Sequence, residues 1–348
     1  MKSTFVSSYA VSQALRLSMM KAQVELTKAT KEAATGRVAD VGLALGARAS
    51  RSVSFARDLE RLRGIVDTNA LAKSRLSTTQ SAITQLGGAA QSYLSTLMAG
   101  LSSNADATVT LADARSMLQT LTGVLNTTYN GEHLFAGINT DVQPINDFEA
   151  AGSTNRAAFD TAFSTYFGFP QSDPAAASIT AAQMDGFLTS VEPQFLGAGW
   201  QGTWSNATDE GITSRISLSE TVQTSVSANE SAMRKLAMAT ASVVATFDSN
   251  VGTDARKAVL NRAVALVGDA LKELGELGGR TGIVENRVKN ASERIGAQAD
   301  ILELSIQDLE GVDPYEASTR VASITQQVET SYALTARIQE LSLLKYLR

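Results

Sequence analysis

The stretch SQALRLSMMKAQVELTKATKEAAT, residues 12–35, decides the fold class of this 348-residue chain. Apolar and alanine side chains recur in it at alternating intervals of three and four residues, which is the period of an amphipathic α-helix. The stretch VASITQQVETSYALTARI, residues 321–338, repeats the pattern near the other end. Because an isolated amphipathic helix is marginal in water, both stripes need a partner. The side chains that we expect at an assembly interface are Leu15, Met19, Ala22, Leu26, Val321, Ile324, Val328, Ile338, Leu341 and Leu344.

Periodicity alone leaves two explanations of these stripes open. They can form the core of a monomeric helical bundle, or they can pack against neighbouring copies of the chain. Long helical patterns also cover residues 50–102, 106–129 and 254–306, whereas residues 131–227 concentrate Gly, Asn, Asp and most of the aromatic residues. We therefore predict a mainly α fold, an elongated antiparallel coiled-coil bundle of N- and C-terminal helices with an inserted small α+β domain.

These changes in composition and apolar periodicity along the chain predict five segments. Inside the inserted domain we expect two short helices and a hairpin that turns near Ser219-Glu220. Near the N-terminus, Val38–Gly46 is expected to be extended or loop-like because glycines interrupt it. The segments are an N-terminal assembly helix with a Gly-rich break (1–49), N-terminal rod helices (50–130), the inserted outer α+β domain (131–227), C-terminal rod helices (228–311) and a C-terminal assembly helix (312–348).

Composition argues against several functional classes. Thirty Lys and Arg against thirty-five Asp and Glu give a net charge of −5, which provides no general attraction to nucleic acid or anionic lipid. The absence of cysteine excludes disulfides, thiolate metal sites and cysteine nucleophiles. The sequence contains no apolar run long enough to span a bilayer, and its first 23 residues lack the continuous apolar segment of a cleaved signal peptide. We expect no nucleic-acid partner, no membrane insertion and no cleaved signal.

Three motifs with catalytic or ligand-binding potential have weak support. His133 is the sole histidine and has no cysteine or serine-elbow partner, so we expect a polar turn residue there. Residues 197–202 match G-x-G-x-x-G, but no apolar strand precedes them and a polar loop follows. Asp248, Asn250 and Gly252 resemble the start of a calcium loop, but Val259 occupies the position of the bidentate carboxylate. We predict no enzyme activity, no cofactor and no metal site.

Short motifs at both ends resemble the flagellin superfamily. They are the opening Met1–Phe5, the break Thr35-Gly36-Arg37 and the ending Leu341–Leu347. The segment GEHLFAGINT, residues 131–140, is similar to a family signature more characteristic of hook-associated junction proteins than of filament flagellin. The likeness covers about residues 1–140 and 228–348. The signature residues carried over are Gly36, Arg37, Leu134, Phe135, Gly137, Thr140 and Pro144.

The resemblance implies a structural protein of the bacterial flagellum. Its N- and C-terminal helices would pair in an inner coiled-coil layer of a ring or helical oligomer, with the middle domain outward. The implied partners are further copies of the chain, the other hook-associated protein, flagellin and an export chaperone. The implied location is the extracellular flagellum, reached by type III export without a cleaved signal. Val38–Gly46 replaces the Asn-x-x-x-Asp-Asp run of many members, as in an alphaproteobacterial branch. Filament flagellin is the first alternative, and a coiled-coil signalling or scaffold protein is a more distant one.

Overall fold

The computed structural model describes residues 8–102 and 106–346, with side chains described for 10–102 and 106–337. Helices make up 74% of the described residues, which confirms the predicted mainly α fold with a small inserted domain. Over the described residues the α-helices are α1 Ser8–Thr35, α2 Val41–Leu45, α3 Ala49–Gly100, α4 Ala107–Leu125, α5 Thr154–Phe167, α6 Ala181–Leu196, α7 Ser231–Phe247, α8 Thr253–Glu310 and α9 Pro314–Tyr346. Short 3-10 turns lie at Gly46–Arg48 and Pro174–Ser178.

Two small antiparallel hairpins supply the β structure. In the first, β1 and β2 are joined by Asn130 and Gly131, whose φ angles of 52° and 84° are both positive, as a type I′ turn requires. The second hairpin turns between residues 215 and 221, where the alternation of apolar and polar residues predicted it. The strands are β1 Thr128–Tyr129, β2 Glu132–His133, β3 Thr213–Arg215 and β4 Thr221–Gln223.

The chain divides into two compact units. Unit 1 contains residues 1–64 and 295–348, and unit 2 contains residues 65–294. The long helices α3 and α8 contribute residues to both units. The five-segment division remains a prediction.

Unit 2 is built around α7, which is buried on all sides. Fourteen of its 17 residues are buried. Alanines such as Ala237, Ala241 and Ala245 let neighbouring helices, among them α4 and α6, pack close to its backbone. The same core continues into the inserted segment, where Trp200 and Trp204 stack with ring centroids 5.8 Å apart.

Unit 1 contains the terminal helices, and the segment after α1 corrects one expectation. Residues 41–45 form the helix α2, so the prediction of an extended or loop-like Val38–Gly46 was wrong there. The Asp40 carboxylate accepts a hydrogen bond from the Leu43 N–H (3.0 Å) and thereby caps the helix. Leu45 is buried, with 8% of its surface exposed, so tertiary packing adds to this short helix.

Candidate assembly interface

The terminal helices α1 and α9 pack against each other in an antiparallel pair. The Gln23 side-chain amide donates to the Tyr332 hydroxyl (2.8 Å), and Arg320 forms an ion pair with Glu32 (3.2 Å). Residue numbers rise along α1 as the numbers of their partners fall along α9, which defines the antiparallel direction. The two ends of the chain therefore supply partners for each other within one molecule.

The predicted interface residues whose side chains are described are buried or half-buried. Val328 is buried, with 9% of its surface exposed, and Ala29 of α1, which was not among the predicted residues, is 2% exposed. Ile338, Leu341 and Leu344 lie in α9 outside the residues whose side chains are described, and Met1–Phe5 lies outside the described residues altogether. The half-buried members are Leu15, Met19, Ala22, Leu26, Val321 and Ile324.

A second apolar stripe of α1 was not predicted. Leu17, Met20 and Val24 are 56%, 64% and 55% exposed. At 100° per residue they lie on the side of α1 opposite to the first stripe, so α9 leaves them uncovered. Burying three such side chains would contribute about 1.5–3 kcal/mol each to association, so this face favours a further partner.

Gly36 and Arg37 form the joint between α1 and the rest of unit 1. Gly36 has φ +66°, a left-handed conformation that ends a helix and favours glycine. Its carbonyl oxygen accepts from the Val312 N–H (3.0 Å), so the joint holds the start of α9. The Arg37 guanidinium lies 3.6 Å from the Glu310 carboxylate, which is largely buried.

Of the other signature residues, Leu134, Phe135, Gly137 and Pro144 are buried in unit 2 and Thr140 is half-buried. Leu134 and Phe135 are fully buried, and the Phe135 carbonyl oxygen accepts from the Ala228 N–H (2.7 Å) just before α7. The Thr140 carbonyl accepts from the His133 N–H (2.8 Å), and the Pro144 carbonyl accepts from the Asn206 N–H (2.9 Å). The segment therefore joins the first hairpin to the loop before α7.

The backbone conformation at position 137 and the close approach of neighbouring atoms both require glycine there. Its φ is +70°, and a Cβ built there would lie 2.3 Å from Thr208 Oγ1 and 2.5 Å from the Thr208 carbonyl oxygen. A side chain at this position would therefore have to push the 208–210 loop away from the signature segment.

A buried polar network in unit 2 had no signature in the sequence. Asn229 accepts hydrogen bonds from Trp200 Nε1 (2.8 Å) and Ser205 Oγ (2.7 Å) through its side-chain oxygen. Its side-chain nitrogen donates to the Ala207 carbonyl (3.0 Å) and the Asp209 carboxylate (2.7 Å). Because Asn229 is only 7% exposed, it ties the inserted segment to the start of α7 without help from solvent.

Tyr93 and Lys235, both in unit 2, have raised pKa values. Burial raises the pKa of the Tyr93 hydroxyl well above its ordinary value, and the nearby Asp113 carboxylate adds to the shift. Tyr93 is 1% exposed and its hydroxyl has no hydrogen-bond partner among the described residues. The hydrogen bond that Lys235 donates to the Glu273 carboxylate (2.7 Å) raises the pKa of Lys235. Both groups support the packing of helices in unit 2.

The motifs with catalytic or ligand-binding potential occupy structural positions. The His133 ring nitrogen Nδ1 lies 3.1 Å from the Asn126 carbonyl oxygen, next to the first hairpin. Residues 197–202 follow helix α6, so the strand-to-helix context of a dinucleotide site is not met. Asn250 lies in the turn between α7 and α8, where its side chain donates to the Ser172 carbonyl (2.6 Å). Across the described residues, no three acidic or histidine side chains converge as metal ligands, and no helix has the length and apolar character to span a bilayer.

Two family descriptions match the chain at the ends whose helices form the terminal pair. The bacterial flagellin N-terminal helical region matches residues 6–140, and the bacterial flagellin C-terminal helical region matches residues 264–347. Together they span more than half of the chain. The chain belongs to the flagellin superfamily. Members of this superfamily are structural proteins that assemble with one another and with other flagellar components.

Structural comparison agrees with this family at the level of the fold. A solved structure from Vibrio parahaemolyticus, provisionally described as a flagellar hook-associated protein, superposes with a TM-score of 0.53. The match covers 76% of this chain and 97% of that one at 9% sequence identity, so it shows a shared fold alone. No curated protein matches the sequence.

Proposed function

We propose that this chain is the structural subunit that joins the flagellar hook to the filament, of the kind called hook-associated protein 3, in its alphaproteobacterial type. The observation that carries the proposal is the second apolar stripe of α1, formed by Leu17, Met20 and Val24. A stripe that stays exposed after α9 has covered the first one favours packing on a helix of a neighbouring subunit. The neighbours in this proposal are further copies of the chain in a ring or helical oligomer.

The distribution of exposed apolar side chains supports assembly through unit 1. Among the described residues, ten of the eighteen large apolar side chains that are exposed lie in unit 1, although this unit has about a third of the chain. Exposed apolar residues in such density mark an interaction surface more often than a free surface. The ten are Leu17, Met20, Val24, Leu43, Val53, Ile301, Leu304, Tyr315, Tyr332 and Leu334.

The proposal assigns a place and partners to each part. Residues 1–49 and 312–348 act as assembly helices, including Ile338, Leu341 and Leu344, and residues 131–227 form the outer domain. The other hook-associated protein and flagellin are the neighbours on either side, and an export chaperone binds the chain before type III export. These assignments follow from the family resemblance and from the pairing of the two ends.

Filament flagellin is the second candidate, favoured by the two matching family descriptions, which are those of bacterial flagellin. The segment Leu134–Gly137 supports the junction instead, because its sequence is similar to that of hook-associated proteins. The two functions differ in what a deletion does. Loss of a junction protein leaves hooks without filaments and releases flagellin into the medium, whereas loss of one flagellin among several does neither.

The experiment is a deletion strain viewed by electron microscopy and complemented with variants of α9. Ile324→Asp with Val328→Asp places two charges against α1, and we expect it to leave bare hooks. The matched control Ser323→Asp with Gln327→Asp adds the same charges at exposed neighbouring positions, and we expect filaments to return. Both tryptophans lie in unit 2, so native tryptophan fluorescence of the secreted or purified variant would show that unit 2 is folded.

Two results would contradict the proposal. Normal filaments in the deletion strain would exclude a junction role. Full complementation by the Ile324→Asp, Val328→Asp variant would exclude a role of the α9 stripe in assembly.

A further inference from the structure

One outer face of unit 1 carries positive charge. Val53, Arg57 and Arg61 follow one another at intervals of four residues on α3, and all three side chains are exposed. Val53 is 54% exposed. We call these three residues the basic face. It lies on the side of α3 away from the buried Ser52 and Leu59.

A second outer face of unit 1 carries negative charge. Asp300, Ile301, Leu304 and Asp308 are exposed on one side of α8, with Ile301 and Leu304 63% and 60% exposed. We call these four residues the acidic face. It lies on the side of α8 away from the buried Ile306. Two aspartates eight residues apart are separated by about 12 Å along the helix and bracket the apolar pair.

The two faces point away from each other. Within unit 1, α3 and α8 are antiparallel neighbours, since the Ser52 hydroxyl donates to the Glu310 carboxylate and Arg63 pairs with Glu303 (2.9 Å). Because each face lies on the side of its helix opposite to this contact, one molecule cannot bring its own two faces together. A second molecule is needed to join them.

The charged side chains of both faces have no partner among the residues that the structure describes. Within the described residues, Arg57, Arg61, Asp300 and Asp308 form no ion pair or side-chain hydrogen bond. Arg63, one turn further along α3, already has Glu303 at 2.9 Å. The free charges of the basic face therefore remain available to a carboxylate from outside.

We propose that the basic face of one copy binds the acidic face of the next, as a deepening of the proposed assembly function on which the inference rests. The antiparallel register gives the pairing. A copy placed alongside without axial shift would bring Arg57 between Leu304 and Asp308, and Arg61 between Asp300 and Leu304. Arginine forms paired hydrogen bonds with carboxylates while its stem covers apolar surface. Different patches on the two copies make the contact heterologous, so it extends from subunit to subunit in one direction.

A charge-reversal exchange tests this contact in the full-length protein. One variant carries Arg57→Glu and Arg61→Glu, and the other carries Asp300→Lys and Asp308→Lys. Each variant alone sets like charges against each other. In a mixture, the reversed α3 face of the first variant meets the reversed α8 face of the second with opposite charge, and the two unaltered faces meet as in the wild type. The control Lys73→Glu with Lys272→Glu makes the same change of net charge as the first variant at exposed positions in unit 2.

Sedimentation velocity over a range of protein concentrations gives the readout. We expect the wild type and the control to associate, each reversed variant alone to stay monomeric, and the equimolar mixture to associate again. Raising salt from 0.1 M to 1 M shortens the screening length from about 10 Å to about 3 Å. It should weaken wild-type association about two- to thirtyfold, as two exposed ion pairs imply.

Three outcomes would overturn the inference: a wild type that stays monomeric at its highest soluble concentration, a reversed variant that associates like the wild type, or a mixture that does not recover. Circular dichroism of each variant must match the wild type, and we expect it to because the altered residues are exposed and unpaired. These outcomes are separate from the deletion phenotype. Bare hooks in the deletion strain would support the proposed function even if this contact proved wrong.

Discussion

Gly137→Ala should destabilise unit 2 far more than Gly131→Ala. Both glycines have positive φ, +70° and +84°, so both substitutions place alanine in the left-handed region at a cost of about 1–2 kcal/mol. Only at Gly137 does the new methyl group collide with another segment, at 2.3 Å from Thr208 Oγ1, whereas nothing lies within 4 Å at Gly131. Overpacking of this kind costs about 1–3 kcal/mol more.

The difference between the two variants therefore isolates the collision. Alanine also restricts the unfolded chain, but this effect is shared and cancels in the comparison. With a denaturant slope of about 3 kcal/mol/M for urea, the unfolding midpoint of Gly137→Ala should lie about 0.3–1 M below that of Gly131→Ala.

Tryptophan fluorescence during urea unfolding is the suitable assay. Trp200 and Trp204 are the only tryptophans, both are buried in the core of unit 2, and Trp204 lies in the loop that leads to Thr208. Equal unfolding midpoints for the two variants would refute the reasoning. They would mean that the 208–210 loop moves to accommodate a methyl group with no loss in the free energy of unfolding.

Two further predictions concern buried polar groups in unit 2. Asn229→Ala leaves the Trp200 N–H and the Ser205 hydroxyl without their acceptor, so we expect a loss of about 2–4 kcal/mol in the free energy of unfolding, measured by urea titration. An unchanged midpoint would show that water replaces the asparagine. Tyr93 has a raised folded pKa, so above pH 10 the unfolded state loses its proton first and stability falls by about 1.4 kcal/mol per pH unit. Tyr93→Phe should make the free energy of unfolding depend less on pH above pH 10. An unaltered slope of that free energy against pH would contradict the prediction.

Most helices could be predicted from local pattern because each has a regular apolar period. The Gly36 stop of α1, the uninterrupted α3 and the hairpin of β3 and β4 all follow from signals within a few residues. The helix α2 was not predicted because the two glycines among the nine residues Val38–Gly46 indicate a loop more strongly than the Asp40 cap indicates a helix. The first hairpin was missed although Asn130-Gly131 is a strong type I′ signal, since strands of two residues show no alternation.

The candidate interface was predictable only in part. The stripe from Leu15 to Leu26 is visible as a period, but the sequence cannot say whether it meets its own chain or another. The stripe of Leu17, Met20 and Val24 has the same chemistry, and only the position of α9 shows that this second stripe is the uncovered one.

By itself the sequence determined the helical class, the apolar stripes at both ends and the likeness to flagellins, because periodicity and short motifs are local properties that no distant contact alters. The tertiary structure alone decided which apolar and charged side chains remain without a partner. Exposure of Leu17, or of Arg57 and Asp308, depends on where segments hundreds of residues away come to lie. Such long-range geometry depends on the packing of the whole chain and cannot be determined from any single stretch of it.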